Sequence, residues 1–366
     1  MAMNTNRPKA LILFSSASEL PLSQPEGHSI NIGWFLVELA AVMAEFEETH
    51  DFVLATPDGK VPTLDINGMA LNMHGGGGLG PATARVALEE MKGFSFEKLR
   101  EKNPQLAARR DAELALLRRQ LGRMPVSKPL PKTDKEAASI RADIVESLNA
   151  LPKKQWHSVE ALLARHRDAA DDFSLSDFEF MHAPGGHTPM VDFNDNPIMG
   201  ELLHSLRESN VPISLICHAP IAMTSAKYRV DADAKITVNE DHEFKGAQIT
   251  TVPKYGELPM LMVGYPKLPG EKTRLLYYVD VALKEAGYDV ELTLDPSAVK
   301  VVWDEKHSLL TGNGPQAVDE QAVRLAEIVR GRRGVGSRQL TDDRRAGGRG
   351  NCDVRSGSEA VIPTRP

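Results

Sequence analysis

The chain has 366 residues, of which 42% are apolar and 25% are charged, as is typical of a globular protein that buries a sizeable core. Its formal net charge of −7 argues against a nucleic-acid-binding protein, since those are usually basic. There are only two cysteines, Cys217 and Cys352, which excludes a disulfide scaffold and a cysteine-rich zinc site.

The N-terminal sequence and the hydropathy pattern bear on where the protein works. The first apolar run is short and continues as strand-like sequence, unlike a signal peptide. No stretch approaches the roughly 18 apolar residues that a membrane span needs. We therefore expect a cytoplasmic protein with reduced thiols and with no membrane partner.

Residues 1–71 predict the first part of an α/β core. Residues 9–15 (KALILFS) and 51–57 (DFVLATP) are short apolar runs typical of buried parallel strands. Residues 33–46 between them carry apolar side chains at helical spacing. Residues 72–168 then lack a strand pattern and are rich in charged helix formers, which predicts a helical insertion that forms a cap or a subdomain.

Residues 169–330 predict the remainder of the core, because strand and helix patterns alternate again. The pattern favours a mostly parallel, flavodoxin-like sheet with helices on both faces. From residue 331 to 366 the composition cannot build a core, and we expect a disordered tail. Strands are predicted over 177–184, 212–217, 235–238, 248–252, 290–294, 299–303 and 308–311, and helices over 197–208, from about 220, 273–286 and 316–330.

The pattern with the most chemical content is the strand 212–217, which runs directly into Cys217-His218-Ala219-Pro220. The next segment is predicted to start a helix, with a proline near its first turn. A strand that turns directly into a helix at a nucleophile is a nucleophile elbow, here with cysteine in place of serine. The helix dipole would favour the thiolate, and the backbone N–H groups after Cys217 would face an oxyanion. The alternative is a small core cysteine at the end of a strand.

Two further features fit this interpretation. Gly185 and Gly186 follow a predicted strand, and the N–H of Gly186 could donate to the same oxyanion, although a plain tight turn is the alternative. Glu38 lies among apolar residues, where burial would raise its pKa and make it a hydrogen-bond donor or a general base. The alternative for Glu38 is an exposed helix face.

Together these motifs resemble those of the ThiJ/PfpI superfamily, which is related to class I glutamine amidotransferases. The matching features are PGGH after a strand (184–187), a later strand that ends in Cys-His-x-Pro, and an acid in a Gly-x-x-x-x-Glu segment (33–38). The ending LTGNGPQA (310–317) is similar to a motif of the heat-shock chaperone and glyoxalase III subgroup. The resemblance covers about residues 8–70 and 172–330.

This resemblance implies a homodimer with a flavodoxin-like sheet and assigns roles to single residues. Cys217 would be the nucleophile, Glu38 the acid bonded to it, and His218 the neighbouring histidine. An acid on a later loop would orient His218. We predict Glu243 for that role, with Glu257 as the alternative.

The chain departs from the family pattern in ways that bear on substrate and metal. Ala219 and Thr188 replace two glycines and add bulk beside the cysteine. Some relatives hold a metal with a histidine shortly after the conserved acid, but residues 39–46 contain none, so we predict no metal there and no cofactor. The spacing of His182, His187 and Asp192 fits no standard zinc pattern and indicates polar loop residues.

A dinucleotide site is also disfavoured. The glycine-rich runs 75–78 and 312–315 do not form Gly-x-Gly-x-x-Gly between a strand and a helix. No P-loop motif occurs either.

The leading functional hypothesis is a cofactor-independent, glyoxalase III-like reaction on a small electrophilic aldehyde or acyl substrate. The same residues could serve an amidase, peptidase, deglycase or hydratase. Two alternatives from other classes are a stress-response holdase chaperone and a thiol redox sensor.

Overall fold

A computed structural model describes residues 7–74, 95–131, 133–295 and 297–347 of the chain. The chain divides into two compact units, residues 1–326 and 327–366. All the predicted site residues lie in the first unit, and the second begins inside the last helix.

The strands and helices are as follows, numbered in chain order over the described residues. The strands are β1 (Lys9–Leu13), β2 (Glu19–Gln24), β3 (Ser29–Asn31), β4 (Asp51–Thr56), β5 (His157–Ser158), β6 (Phe178–Ala183), β7 (Ile213–Ile216), β8 (Tyr228–Val230), β9 (Ile236–Val238), β10 (Gln248–Ile249), β11 (Arg274–Leu275), β12 (Asp289–Val290), β13 (Val301–Asp304) and β14 (Leu309–Gly312). The α-helices are α1 (Val37–Phe46), α2 (Phe96–Lys102), α3 (Pro104–Gln120), α4 (Lys135–Asn149), α5 (Val159–Arg167), α6 (Pro189–Asp192), α7 (Pro197–Glu208), α8 (Lys254–Val263), α9 (Val279–Glu285) and α10 (Val318–Gly347).

The central sheet confirms the predicted α/β class. Its strand order is β13-β14-β7-β6-β1-β4-β5, and every neighbouring pair is parallel except β13 with β14. All four residues of β7 and of β14 are buried, which requires cover on both faces of the sheet. The carboxyl ends of β6, β7 and β14 lie side by side, because Ala183 pairs with Leu215 and Gly312 with Ile216.

The predicted helical insertion ends earlier than expected. Helices α2, α3 and α4 fall within residues 72–168 as predicted, but β5 pairs with β4 at the edge of the central sheet and α5 follows it. The core therefore resumes at His157 and not at residue 169. A two-residue strand is too short for its hydrophobic period to be recognised. Residues 75–94, with the glycine run 75–78, lie outside the described residues.

Two ion pairs hold helix α3 in place, one to a second helix of the insertion and one to the start of α10. Arg110 donates two hydrogen bonds to Glu136, at 2.7 and 2.8 Å, and so joins α3 to α4. Arg109 makes a bidentate pair with Asp319 at the start of α10, at 2.8 and 2.9 Å. The Arg110–Glu136 pair is buried, so removal of one partner would leave an uncompensated charge, and this pair specifies how α3 is placed against α4.

Several elements differ from the sequence predictions. The helix predicted from about Pro220 is a 3-10 helix, Ala219–Lys227. The predicted helix 273–286 is β11 followed by the shorter α9, and the hairpin of β2 and β3 and helix α8 were not predicted. Helix α10 continues to Gly347, past the predicted start of a disordered tail at Gly331. Helical hydrogen bonds are local, so a sequence that cannot build a core can still continue a helix.

Within the described ranges, no helix is both long enough and apolar enough to cross a membrane.

Candidate active site

Cys217 occupies a strained turn at the end of β7. Its φ is +61°, in the left-handed region that non-glycine residues seldom adopt. The backbone N–H of Cys217 donates to the Gly312 carbonyl at 2.9 Å, and its carbonyl accepts from the Thr251 hydroxyl. These bonds hold the residue in a conformation that it would not take alone, as at other functional turns. Strand β7 therefore ends in a sharp turn at Cys217, as the elbow prediction requires.

The expected low pKa of the thiol is wrong. Burial raises the pKa of Cys217 well above its usual value, and the neighbouring charge of Glu38 raises it further. A bond from the backbone N–H of His218 opposes these effects without cancelling them. A low thiol pKa was expected because a helix dipole would favour the thiolate, but the cysteine is only 5% exposed and is followed by a 3-10 helix. A thiolate must therefore form by proton transfer to a neighbouring group.

Glu38 lies in the first turn of α1 and is completely buried, so the exposed-face alternative is wrong. Burial raises its pKa to about 7, although hydrogen bonds from Cys217, Gly185 and Gly186 act in the opposite direction. Glu38 and Cys217 thus form a coupled pair in which each charge opposes the other. A carboxyl group that titrates near neutral pH can both accept and return a proton.

Gly185 and Gly186 bind the carboxyl group of Glu38, which corrects their predicted role as donors to an oxyanion. Their backbone N–H groups both donate to Glu38 Oε2, at 2.8 and 2.9 Å. A Cβ on Gly185 would lie 2.8 Å from the Cys217 Cβ, and Gly186 has a φ of +73°. Both glycines are therefore needed for the close approach of this loop to the acid and the cysteine.

Ala219 and Thr188, the two residues predicted to add bulk beside the cysteine, are both buried. Ala219 is fully buried at the first position of the 3-10 helix after the elbow, and its predicted oxyanion role stays a prediction. Thr188 is 1% exposed and immediately precedes α6. Both side chains occupy space that glycine would leave open.

Glu257, and not Glu243, completes the triad. His218 Nδ1 lies 3.2 Å from Cys217 Sγ, and His218 Nε2 lies 2.8 Å from Glu257 Oε1. Glu243 instead contacts His204 at 2.8 Å and is 40% exposed. Both acids follow the elbow in the chain, but only the first turn of α8 brings a carboxylate to His218. The choice of Glu243 was wrong and the alternative, Glu257, is in place.

The charge of Glu257 fixes the tautomer of His218. Burial opposes ionisation of this carboxyl group, but the charge of His218 and hydrogen bonds from both His187 and His218 outweigh it and lower the pKa to about 2. An ionised carboxylate can only accept a hydrogen bond, so His218 Nε2 carries the proton. Its Nδ1 is then free to accept the proton of the Cys217 thiol.

His187 belongs to the site, which the sequence reasoning missed. It is buried, and its Nε2 lies 3.3 Å from the same Glu257 oxygen that His218 contacts. The two imidazole rings are 4.2 Å apart between centroids. Burial and the charge of His218 lower the pKa of His187. His187, His218 and Glu257 thus form a cluster that could hold a metal ion, with one donor atom from each within 4.8 Å of the others.

Tyr265 and Asp65 extend the cluster and carried no motif in the sequence. The Tyr265 hydroxyl donates to Asp65 Oδ2 at 2.9 Å and lies 3.4 Å from His187 Nδ1. Asp65 Oδ2 also accepts from the backbone N–H of Gly33 at 2.9 Å. This aspartate connects the turn before α1 to the histidine side of the site.

The other two residues considered for metal binding lie in separate contacts. His182 is a buried residue of β6 that bridges Ser214 and the Glu38 carbonyl, at 3.0 Å each. Asp192 accepts from the backbone N–H of Ser16 at 2.8 Å. Neither is a polar loop residue facing solvent. Cys352 lies outside the described residues.

Comparisons with known proteins return similar structures only. No family model and no curated protein sequence matches the chain. Rapid Encystment Protein 24 KDa of Francisella tularensis is 12% identical, over 88% of this chain and 99% of that one, with a TM-score of 0.48. Glyoxalase III from Candida albicans is 13% identical, over 87% and 96%, with a TM-score of 0.45.

A third similar structure is a ThiJ/PfpI domain protein from Brachyspira murdochii, which is 8% identical over 88% of this chain and 96% of that one, with a TM-score of 0.39. The names of these structures include the superfamily and the subgroup that the sequence motifs resemble. TM-scores below 0.5 say nothing about chemistry, which has to be argued from the site itself.

Proposed function

We propose that the protein is a cofactor-independent enzyme of the glyoxalase III type, which adds water to a small α-oxoaldehyde such as methylglyoxal and releases the α-hydroxy acid. The observation that carries this proposal is the position of Cys217 Sγ. It lies 3.2 Å from a histidine nitrogen that can accept its proton and beside a buried carboxyl group with a pKa of about 7.

The first step is attack of sulfur on the aldehyde carbon. The thiol proton moves to His218 Nδ1 as the C–S bond forms, and the carbonyl π electrons move to oxygen, giving an alkoxide. His218 then returns the proton to that oxygen, which gives the hemithioacetal. Glu257 stabilises the imidazolium that results, because its carboxylate lies 2.8 Å from His218 Nε2. A buried thiol of high pKa needs such a base, since little thiolate exists beforehand.

The second step is transfer of hydrogen between the two substrate carbons. Glu38 removes the proton from C1 of the hemithioacetal, and the electrons move onto the C2 carbonyl oxygen to give an enediol in its anionic form. Glu38 then returns the proton to C2 while the proton of the C1 hydroxyl passes to the C2 oxygen, which gives a lactoyl thioester on Cys217. Water then cleaves the C–S bond, which releases lactate and restores the thiol. A carboxyl group with a pKa near 7 suits both halves of this transfer.

Low exposure favours a small substrate. Cys217, His218 and Glu257 are 5%, 4% and 7% exposed. Ala219, which follows His218 in the chain, and Thr188, which follows His187, are buried as well. A two- or three-carbon aldehyde could reach the sulfur past these groups more easily than a peptide could.

The test is a panel of small oxoaldehydes, amides and esters assayed with the wild type, Cys217→Ser and Glu243→Gln. We expect turnover of oxoaldehydes by the wild type and by Glu243→Gln, and none by Cys217→Ser. Equal rates for Cys217→Ser and the wild type would reject the proposal.

A solvent-isotope experiment distinguishes this reaction from simple hydrolysis. In D₂O the enediol route places deuterium from solvent on C2 of the lactate, because Glu38 can exchange its proton before returning it. Product without deuterium at C2 would exclude Glu38 as an exchanging base. Turnover of amides or esters in place of oxoaldehydes would identify a hydrolase.

A further inference from the structure

We propose that His187, His218 and Glu257 bind a divalent transition-metal ion, with Zn²⁺ as the expected ligand, and that the metal-bound protein is a reversibly inhibited form. The donor set of two imidazoles and one carboxylate is a frequent three-ligand zinc site with a fourth position for water. It is unlike the all-oxygen sets that magnesium and calcium prefer. The inhibitory consequence rests on the proposed function, whereas the binding does not.

The three donor atoms already converge. Both histidine Nε2 atoms face one oxygen of Glu257, at 2.8 and 3.3 Å, and the three donors lie within 4.8 Å of one another. Ligand atoms around a tetrahedral zinc ion with bonds of about 2.1 Å are about 3.4 Å apart. Only a small opening of the cluster is therefore needed to admit the ion.

An unsatisfied atom points to a ligand independently of the cluster geometry. Glu257 Oε2 is buried and has no hydrogen-bond partner within the described part of the chain, although the carboxylate that carries it is 7% exposed. A buried polar atom without a partner is costly, and natural structures seldom keep one without a reason. A metal ion bound by this carboxylate would supply the missing interaction.

Both histidines also have the outer partners that metal-binding imidazoles need. When Nε2 binds a metal, the remaining ring proton lies on Nδ1 and is normally donated to a neighbouring group. His187 Nδ1 lies 3.4 Å from the Tyr265 oxygen, whose own proton is donated to Asp65. His218 Nδ1 lies 3.2 Å from Cys217 Sγ. Both rings can thus change tautomer without losing a partner.

Metal binding would block the proposed first step. With zinc on Nε2 and a proton on Nδ1, His218 can no longer accept the proton of the Cys217 thiol. The ion would also separate His218 from the carboxylate that stabilises its charged form. Turnover should therefore fall as zinc occupies the site and return when a chelator removes it.

The first experiment measures zinc directly. Full-length protein, reduced and freed of metal with a chelator, is mixed with zinc chloride, passed through a desalting column and analysed for metal per chain. We expect one tightly bound zinc in the wild type, in Cys217→Ser and in Glu243→Gln, and its loss in His187→Gln and Glu257→Gln. Retention of that zinc in His187→Gln, or its loss in Cys217→Ser, would overturn the proposal.

A second measurement uses the wild type alone and is not affected by variants that fail to fold. X-ray absorption at the zinc edge should show nitrogen and oxygen neighbours, with two imidazoles and no sulfur. A sulfur neighbour, or no bound zinc at all, would overturn the proposal. Turnover of oxoaldehydes by the metal-free protein is scored separately, so failure of the proposed reaction and failure of the metal site give different results.

Discussion

Two histidine–glutamate pairs in this molecule have the same chemistry and different surroundings. His204 Nδ1 lies 2.8 Å from Glu243 Oε1, and His218 Nε2 lies 2.8 Å from Glu257 Oε1. The second nitrogen of His204 donates to the Ala226 carbonyl at 2.7 Å, whereas that of His218 faces the sulfur of Cys217 at 3.2 Å. A carbonyl cannot exchange a proton with the ring, but a thiol can.

The exposure of the two acids differs as well. The Glu243 side chain is 40% exposed and also lies near Arg207, at 3.4 Å. The Glu257 side chain is 7% exposed, and two histidines face it. An acid and a histidine in contact therefore do not by themselves make a catalytic pair. The group that faces the second ring nitrogen of the histidine decides whether the pair is structural or catalytic.

Substitution of the two histidines should give the largest difference in kcat/KM. His218→Gln should lower kcat/KM for an oxoaldehyde by about 10³-fold, since it removes the base that accepts the thiol proton. His204→Gln should leave kcat/KM within about threefold and instead lower stability, because it disturbs a buried structural hydrogen bond. Steady-state kinetics and urea unfolding on both variants check this. Similar kinetic losses in both would contradict the distinction.

Substitution of the two glutamates should affect kcat/KM just as differently, although the loss at Glu257 should be smaller than the loss at His218. Glu257→Gln should lower kcat/KM by about 10²-fold, because the amide no longer stabilises a charged His218. Glu243→Gln is the matched control and should stay near the wild-type rate. The pH profile of kcat/KM should shift in Glu257→Gln only. An unshifted profile with an unchanged rate would remove Glu257 from the mechanism.

Burial of Glu38 should make the free energy of unfolding depend on pH. The pKa of Glu38 is about 7 in the folded protein against 4.5 when exposed, so folding favours its protonated form. Its stabilising contribution is complete below pH 4.5 and is lost as pH rises toward 7. Glu38→Gln imitates the protonated acid, so it should gain about 3 kcal/mol relative to the wild type over that interval.

Urea unfolding at a series of pH values measures this gain. Glu48→Gln changes an exposed acid just after α1 and is the control. Its stability should run parallel to that of the wild type across the interval. Parallel curves for Glu38→Gln would show that Glu38 is not buried as a neutral acid.

The smallest expected effect concerns the glycine loop that holds Glu38. Gly185→Ala would place a Cβ 2.8 Å from the Cys217 Cβ and from the Ile216 carbonyl oxygen, so it should destabilise the fold by about 1–3 kcal/mol. Gly331→Ala lies in helix α10, where an added Cβ meets nothing within 4 Å, and should not destabilise. Thermal unfolding compares them. Equal stability of the two variants would mean that the loop can move away from the elbow.

Much of the fold and half of the site could be predicted from local sequence. The apolar runs that became β1, β4, β6, β7 and β14 identified a buried parallel sheet, because such strands need cover on both faces. Cys217 and Glu38 were found since each is unusual in its own segment: a cysteine at a strand end and an acid among apolar residues. That Glu38 is bonded to Cys217 was implied by the resemblance alone, and the structure places the two side chains in contact.

The remaining site residues depend on how distant segments meet. His187 lies 31 positions before His218 and Glu257 lies 39 positions after it, and no local pattern links either of them to His218. The choice between Glu243 and Glu257 turned on the path of the chain after the elbow, which includes a helix that was not predicted. The thiol pKa was misjudged for the same reason, because burial and the charge of Glu38 are properties of the folded site.

The central claim is that the sulfur of Cys217 forms a bond to the aldehyde carbon during turnover. Rapid acid quenching of the metal-free enzyme with methylglyoxal, followed by peptide mass spectrometry, tests it directly. We predict an added mass of one methylglyoxal on the peptide that contains Cys217, and none in Cys217→Ser. An adduct confined to other residues, with Cys217→Ser turning over at the wild-type rate, would contradict the account.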